Sequence, residues 1–252
     1  MIPHSKSSGL LDADYAEGRT RRPELEFRYK CRAAAAARAI RDARRGAGSI
    51  RVLELGAAEG RTLLELRRHL APGEFVGVEK SRSLIESAPP LPPDTRLVEG
   101  DACALPGELL TEGFDAVVAL AVLEHLEEPA VALRQASSAL RPGGLMVASC
   151  PVPLWDHVAT RLGLLEPGHH ESHPDAEQLT GLVWKAGLEM VCYGRFMWAP
   201  VSVLPYLHVP VNVTLALAVD RAIGRLRLFD ALFVNQLVVA RKHQTTGRAR
   251  PA

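Results

Sequence analysis

The sequence predicts an α/β fold, a mostly parallel sheet covered by helices on both faces, and three observations predict it. The first is an apolar run, Val52-Leu53-Glu54-Leu55, that breaks at Gly56, turns through Ala57-Ala58-Glu59-Gly60 and re-enters a helical pattern at Thr62-Leu63-Leu64-Glu65-Leu66. A buried strand, a tight loop and a helix start read this way. The second is a further apolar run, Phe75-Val76-Gly77-Val78, that ends in an acid, Glu79. A strand–glycine loop–helix–strand–acid unit suits a nucleoside, with the acid on the ribose hydroxyls. The third is the alternation that follows as far as residue 150, which parallel sheets require because each crossover carries a helix.

Element by element, an N-terminal helix comes first, over 24–45. It is alanine-rich at 33–37 and stops at Gly46-Ala47-Gly48. Its arginines read as a solvated face, the alternative being contact with an anionic substrate. Strands are expected at 51–55, 75–78, 95–99, 116–120 and 145–149, with helices at 62–70, 81–87, 107–110 and 129–140. Arg141-Pro142-Gly143-Gly144 stops the last of these. Beyond Pro151 the pattern weakens. A helix capped by Asp175 fits 175–186, strands fit 188–196 and 233–242, and an arginine-rich helix fits 220–228. An insertion at 197–230 therefore separates strands six and seven. The organisation expected is an arm and helix over 1–48 serving as a lid or cap, a nucleoside-binding core over 49–150 and an acceptor-side half over 151–252, all in one structural domain.

Composition narrows the function classes. The chain has 252 residues, 47% of them hydrophobic but only 5% aromatic, enough for a sizeable aliphatic core. Thirty basic and 29 acidic side chains leave a net charge of +1, so no global field recruits nucleic acid. Cys31, Cys103, Cys150 and Cys192 form no CxxC pair and read as thiols of a reducing, cytoplasmic compartment. The first residues lack the apolar stretch of a signal peptide. Residues 196–219 hold no Lys, Arg, Asp or Glu, yet Pro200, Pro205 and Pro210 interrupt any regular spanning helix. A buried cap, or a face on a membrane or a protein, suits that segment better. The arginines at 221, 225 and 227 beside Leu226, Leu228 and Phe229 fit an interfacial helix, which would make the protein peripheral to a membrane. Trp198, Tyr206 and His208 either line an acceptor pocket or pack the core.

The loop itself selects the ligand. A dinucleotide site wants G-x-G-x-x-G, whereas this one spaces its glycines as G-x-x-x-G and places Glu59 where a pyrophosphate would lie. Glu54 and Glu59 favour a ligand with a cationic amino-acid end. With these features the chain resembles the class I S-adenosylmethionine-dependent methyltransferases, in particular the group that includes the ubiquinone-biosynthesis type. The resemblance covers about residues 50–150 well and 165–195 loosely. It implies a Rossmann-like sheet of seven strands with strand seven antiparallel, and S-adenosyl-L-methionine as cofactor. It puts Glu54, Gly56, Ala57, Ala58 and Gly60 under the methionine part, and Glu79, with Lys80 beside it, at the ribose. Asp101 and Ala102 of Val98-Glu99-Gly100-Asp101-Ala102 fall at the adenine. Leu120, ending the fourth strand of Phe114-Asp115-Ala116-Val117-Val118, completes the cofactor set. Leu140-Arg141-Pro142-Gly143-Gly144 matches the turn before strand five.

Methyl transfer is an in-line displacement that chiefly needs the nucleophile positioned; a hydroxyl acceptor also needs a base, and histidine suits that role. His125 follows strand four at the edge where ligands bind in such folds; the alternative for Glu124-His125 is a helix start hydrogen-bonded into the fold. The ubiquinone-type enzymes carry E-x-x-E-H here around a divalent metal; this chain has Ala121 first, so only Glu124 and His125 match and no metal is expected. His173, with His169 and His170 in a loop framed by Pro167, Gly168 and Pro174, is the second candidate base. The alternatives there are a surface loop or a zinc site, and zinc lacks a partner motif. The expected activity is methyl transfer to a small-molecule or lipid- or glycan-type acceptor, at oxygen, since no N-P-P-Y tetrapeptide follows strand four. The rival reading is a non-catalytic S-adenosylmethionine-binding regulatory or partner subunit. A nicotinamide-dependent oxidoreductase would need the dinucleotide loop that is missing.

Overall fold

The computed structural model describes residues 19, 21–44, 46, 48–161, 174–226 and 229–244. Helix α1 (Pro23–Ala43) opens with Pro23 in its first turn and with Glu24 and Glu26 near its N-terminus, where proline and negative charge are both favoured. Seven strands follow: β1 (Ile50–Leu55), β2 (Gly73–Glu79), β3 (Thr95–Glu99), β4 (Phe114–Leu120), β5 (Leu140–Pro151), β6 (Leu188–Trp198) and β7 (Phe233–Lys242). They form one sheet in the order β3-β2-β1-β4-β5-β7-β6. The β1–β2, β1–β4, β2–β3 and β4–β5 pairs are parallel, and β7 runs antiparallel to both β5 and β6. The sheet reverses its order between β1 and β4, so the crevice for a ligand opens at the carboxyl ends of those strands.

Both faces are covered, as the near-continuous apolar runs of the central strands require. One face, with Leu53, Val76, Val117 and Met146, packs on α5 (Pro129–Ala139) and α7 (Ala176–Lys185). The other, with Val52, Phe75, Val118 and Val147, packs on α1 and on α2 (Arg61–Leu70). Asp175 caps α7 as the sequence predicts: its side chain accepts from Gln178 N at 2.8 Å, while Gln178 Oε1 accepts from Asp175 N at 2.9 Å. The short helices α3 (Arg82–Glu86) and α4 (Gly107–Thr111) fill the crossovers.

The second half departs from expectation. Helix α6 (Pro153–Arg161) follows β5 where no element is predicted. The insertion begins with the single turn α8 (Ala199–Ser202) and a 3-10 turn, Leu204–Leu207. The arginine-rich helix expected over 220–228 begins earlier, as α9 (Val213–Gly224), because the Asn212 side chain accepts from Leu215 N at 3.1 Å and caps it there. Among the described residues no helix is long and apolar enough to cross a membrane.

Candidate functional site

At the carboxyl edge of β1, β2 and β4 a cavity of about 360 Å³ opens. Its floor is the turn after β1. Gly56 and Gly60 adopt the left-handed region (φ 66° and 81°), and a Cβ at Gly56 would collide with Val122. Ala57 N donates to Val78 O at 3.0 Å and Gly60 N to Ala57 O at 2.9 Å, which pins the loop to β2 and starts α2. Ala58 and Ala121 also hold positive φ, 48° and 58°, and both line the cavity. Such strain in non-glycine residues persists where surrounding structure over-determines it, often at ligand sites.

Glu79 ties the loop to the end of β2. One carboxylate oxygen accepts from Ala58 N and the other from Ser81 N, each at 2.9 Å. A carboxylate has about four lone-pair directions, so this fixed group retains acceptor capacity toward the cavity. Across the cavity Asp101 accepts from Lys80 Nζ at 2.9 Å and from Cys103 N at 2.8 Å. The Lys80 ammonium, and then the Cys103 amide, hold the Asp101 carboxyl below the usual carboxylate range.

Seven of the expected cofactor residues line the cavity together: Gly56, Ala58, Glu79, Lys80, Asp101, Ala102 and Leu120. Ala57 and Gly60 build the loop behind it. Glu54 is buried at the end of β1, and its Oε2 has no hydrogen-bond partner. Burial pushes its pKa well above the ordinary glutamate value; Arg19 opposes the shift, and the Glu59 and Glu79 carboxylates add to it. Glu54 does not itself line the cavity but lies behind its glycine floor, and that floor leaves room for the amino-acid end of S-adenosylmethionine. Glu59 differs from expectation. It is buried and turned to Arg19 Nε at 3.3 Å and Arg61 Nε at 3.5 Å, so its charge is spent within the protein.

His125 stands in the cavity wall, on the 3-10 turn Leu123–His125 after β4, while Glu124 beside it is buried. His173, with the rest of its histidine loop, lies outside the described residues. The lining also includes residues not named among the expected site residues, among them Tyr29 and Arg32 of α1 and Arg19 of the arm before it. Arg19 donates to Thr62 Oγ1 at 2.6 Å and lies over the Tyr29 ring at 4.7 Å. Arg32, expected on a solvated face, is 8% exposed. Its spacing from Tyr29 and Ala36, which shares the buried stripe of α1, was the available signal. The three bring positive charge and an aromatic ring over a floor lined with carboxylates.

The matches with known proteins agree with this architecture. The methyltransferase domain family model matches residues 25–193. A ubiquinone biosynthesis O-methyltransferase of Bradyrhizobium diazoefficiens is 34% identical over 103 residues, 40% of each chain. An uncharacterized 37.1 kDa protein in transposon Tn4556 of Streptomyces fradiae is 35% identical over 120 residues, 46% of this chain and 32% of that one. The chain thus spans about a third to two fifths of the length of these curated relatives. Among solved structures, the complex between the Haloferax volcanii Trm112 methyltransferase activator and a putative methyltransferase matches with TM-score 0.65 and 17% identity, covering 92% of this chain and 96% of that one. An S-adenosylmethionine-dependent methyltransferase from Archaeoglobus fulgidus matches with TM-score 0.60 and 18% identity, covering 92% and 100%. These structures share the seven-stranded fold, and the family match spans well over half of the sequence: the chain belongs to the methyltransferase domain family, with the class I S-adenosylmethionine-dependent fold.

Proposed function

We propose that this protein transfers a methyl group from S-adenosyl-L-methionine to a hydroxyl of a small-molecule or lipid- or glycan-type acceptor. The observation that carries the reading is the cavity in which Gly56, Glu79, Asp101 and His125 converge at the carboxyl edge of the sheet. Bound S-adenosylmethionine supplies a methyl group on a sulfonium, already activated toward nucleophiles. In this reading Glu79 accepts from both ribose hydroxyls with the capacity its two backbone bonds leave free, and Lys80 steadies Asp101 as Asp101 accepts from the adenine amine. Ala102 and Leu120 pack the nucleoside. The glycine floor admits the amino-acid end, Glu54 complements its ammonium, and Arg19 and Arg32 complement its carboxylate.

The protein's remaining task is positioning and proton removal. His125 accepts the acceptor's hydroxyl proton, and His173 is the second candidate for the same role. Peripheral contact of the insertion with a membrane or a protein is a separate expectation that methyl transfer does not require. Calorimetric titration of S-adenosylhomocysteine into wild type and Glu79→Ala is the test. Replacing the ribose acceptor should weaken binding by roughly 10–100-fold, the loss of hydrogen bonds to a charged group. No binding to folded wild-type protein would sink the reading. Binding without turnover of any hydroxyl acceptor would favour the non-catalytic subunit instead.

A further inference from the structure

Among the described residues nine large hydrophobic side chains stand exposed, and six of them, Val203, Tyr206, Leu207, Val209, Leu215 and Leu226, fall within residues 203–226. Scattered singly, such residues need no account; gathered in one segment they mark a contact surface. The fold builds this surface deliberately. Pro205 and Pro210 prevent a continuous helix, and His208 takes the left-handed conformation (φ 59°), so that residues 206–210 are all exposed. Beneath them the segment is anchored. Ser202 and Pro205 are buried, Val201, Val211 and Val213 pack against the core, and buried Asp220 accepts from Met197 N and Trp198 N at 2.7 and 2.8 Å. The apolar side chains are held outward by a fixed base.

Helix α9 continues the pattern. Ala216 and Asp220 face the protein, while Leu215, Ala222 and Leu226, at i, i+7 and i+11, form an outer stripe that runs into the turn after the helix. Arg221 and Arg225 flank that stripe, exposed and in no ion pair among the described residues. The charge of the segment is one-sided. From 196 to 229 the only carboxylate is Asp220, and it is buried under the helix. An apolar tip beside a helix with arginines along one side of its outer stripe, and with the nearest exposed acid along the chain, Asp230, beyond the segment, is complementary to an anionic lipid interface.

The location matters as well. Strand β6 runs antiparallel to β7, which runs antiparallel to β5, so β6 ends at the same carboxyl edge as the cavity. The 3-10 turn of the insertion packs on α1, whose Tyr29 and Arg32 line that cavity.

We propose that residues 203–226 dock this protein on a bilayer surface carrying anionic lipid. Tyr206, Leu207 and Val209 enter below the headgroups, α9 lies in the interfacial plane, and Arg221 and Arg225 meet lipid phosphates. The proposal goes beyond the methyl-transfer reading and does not depend on it. The test is sedimentation of the full chain with vesicles of phosphatidylcholine alone and of phosphatidylcholine with phosphatidylglycerol, at low and high salt. Wild type should bind the anionic vesicles, and added salt should weaken that binding. The double variant Leu207→Asp/Leu215→Asp should bind at least about tenfold more weakly, and Arg221→Glu/Arg225→Glu should lose the preference for anionic lipid. S-adenosylhomocysteine affinity in each variant separates loss of docking from loss of fold or of the cofactor site. Equal sedimentation of wild type and Leu207→Asp/Leu215→Asp overturns the proposal. So does a wild-type dimer that this variant converts to a monomer in the ultracentrifuge, because the face would then be an interface between two copies. Tight vesicle binding by a chain that fails to bind S-adenosylhomocysteine would support docking and count against the methyltransferase reading alone.

Discussion

Glu54 lies at the end of β1 with one carboxylate oxygen buried and unpartnered, directly before the glycine turn. An uncompensated buried carboxylate is costly, and the folded chain answers by favouring its protonated form. The sign of the pH dependence follows. Because burial raises the folded pKa above the unfolded value, the group's contribution to stability is present in full below about 4.3, the ordinary glutamate value. It is lost as pH rises through the raised folded pKa. Glu54→Gln removes the titration while keeping the shape. In urea unfolding over a pH series, the ligand-free Gln variant should gain on wild type as pH rises above the ordinary glutamate range, and should bind S-adenosylhomocysteine more weakly. Parallel stability profiles for the two proteins would refute the burial argument. Glu59 is as deeply buried and lies within 3.5 Å of the Arg19 and Arg61 guanidinium groups. Nothing in the sequence distinguishes these two loop acids, since the cation that separates them, Arg19, comes from forty residues upstream.

The insertion elements depend on one carboxylate of α9. Met197, next to last in β6, holds a left-handed conformation (φ 63°), and its amide and that of Trp198 both donate to Asp220. Asp220→Ala leaves two buried amides unsatisfied and should cost roughly 2–4 kcal/mol in urea unfolding, with Asp220→Asn costing about half of that. A loss under about 0.5 kcal/mol would mean that water replaces the carboxylate. That contact also shows where sequence reading runs out. Elements from β1 to β5 are legible because glycine and proline punctuate strongly periodic runs, and β3 falls on its expected bounds, 95–99. The glycine loop, Glu79 and Asp101 are legible as well, because their spacing follows the order of the strands. Helix α9 is read too late because Thr214 is the one polar residue of its first half and its outer stripe is left exposed, so the polar face that would mark a helix start is missing. For Arg32 the sequence leaves a solvated face and a ligand contact both open, because only the packing of α1 on the sheet draws this charged residue into the cavity wall.

At the scale of the molecule, the carboxyl edge divides into two sides. Strands β1 to β4 present the glycine floor, Glu79 and Asp101; β6 and β7 deliver the insertion, and β5 stands between them. His125, on the turn after β4, sits at the seam. If the division is functional, substitutions on the two sides separate experimentally. Glu79→Ala acts on cofactor affinity. Leu207→Asp/Leu215→Asp acts on membrane contact and leaves S-adenosylhomocysteine affinity within error. His125→Ala should leave that affinity nearly unchanged and lower turnover of a hydroxyl acceptor by roughly 10²–10⁴-fold, the usual contribution of a general base. A purely structural role for His125 would instead lower stability and cofactor affinity together with rate. Rescue of turnover by raising the pH of the His125→Ala reaction, where more acceptor is already ionised, would separate proton removal from positioning. Retention of full turnover in His125→Ala at neutral pH would move the base to another residue, with His173 the next to replace.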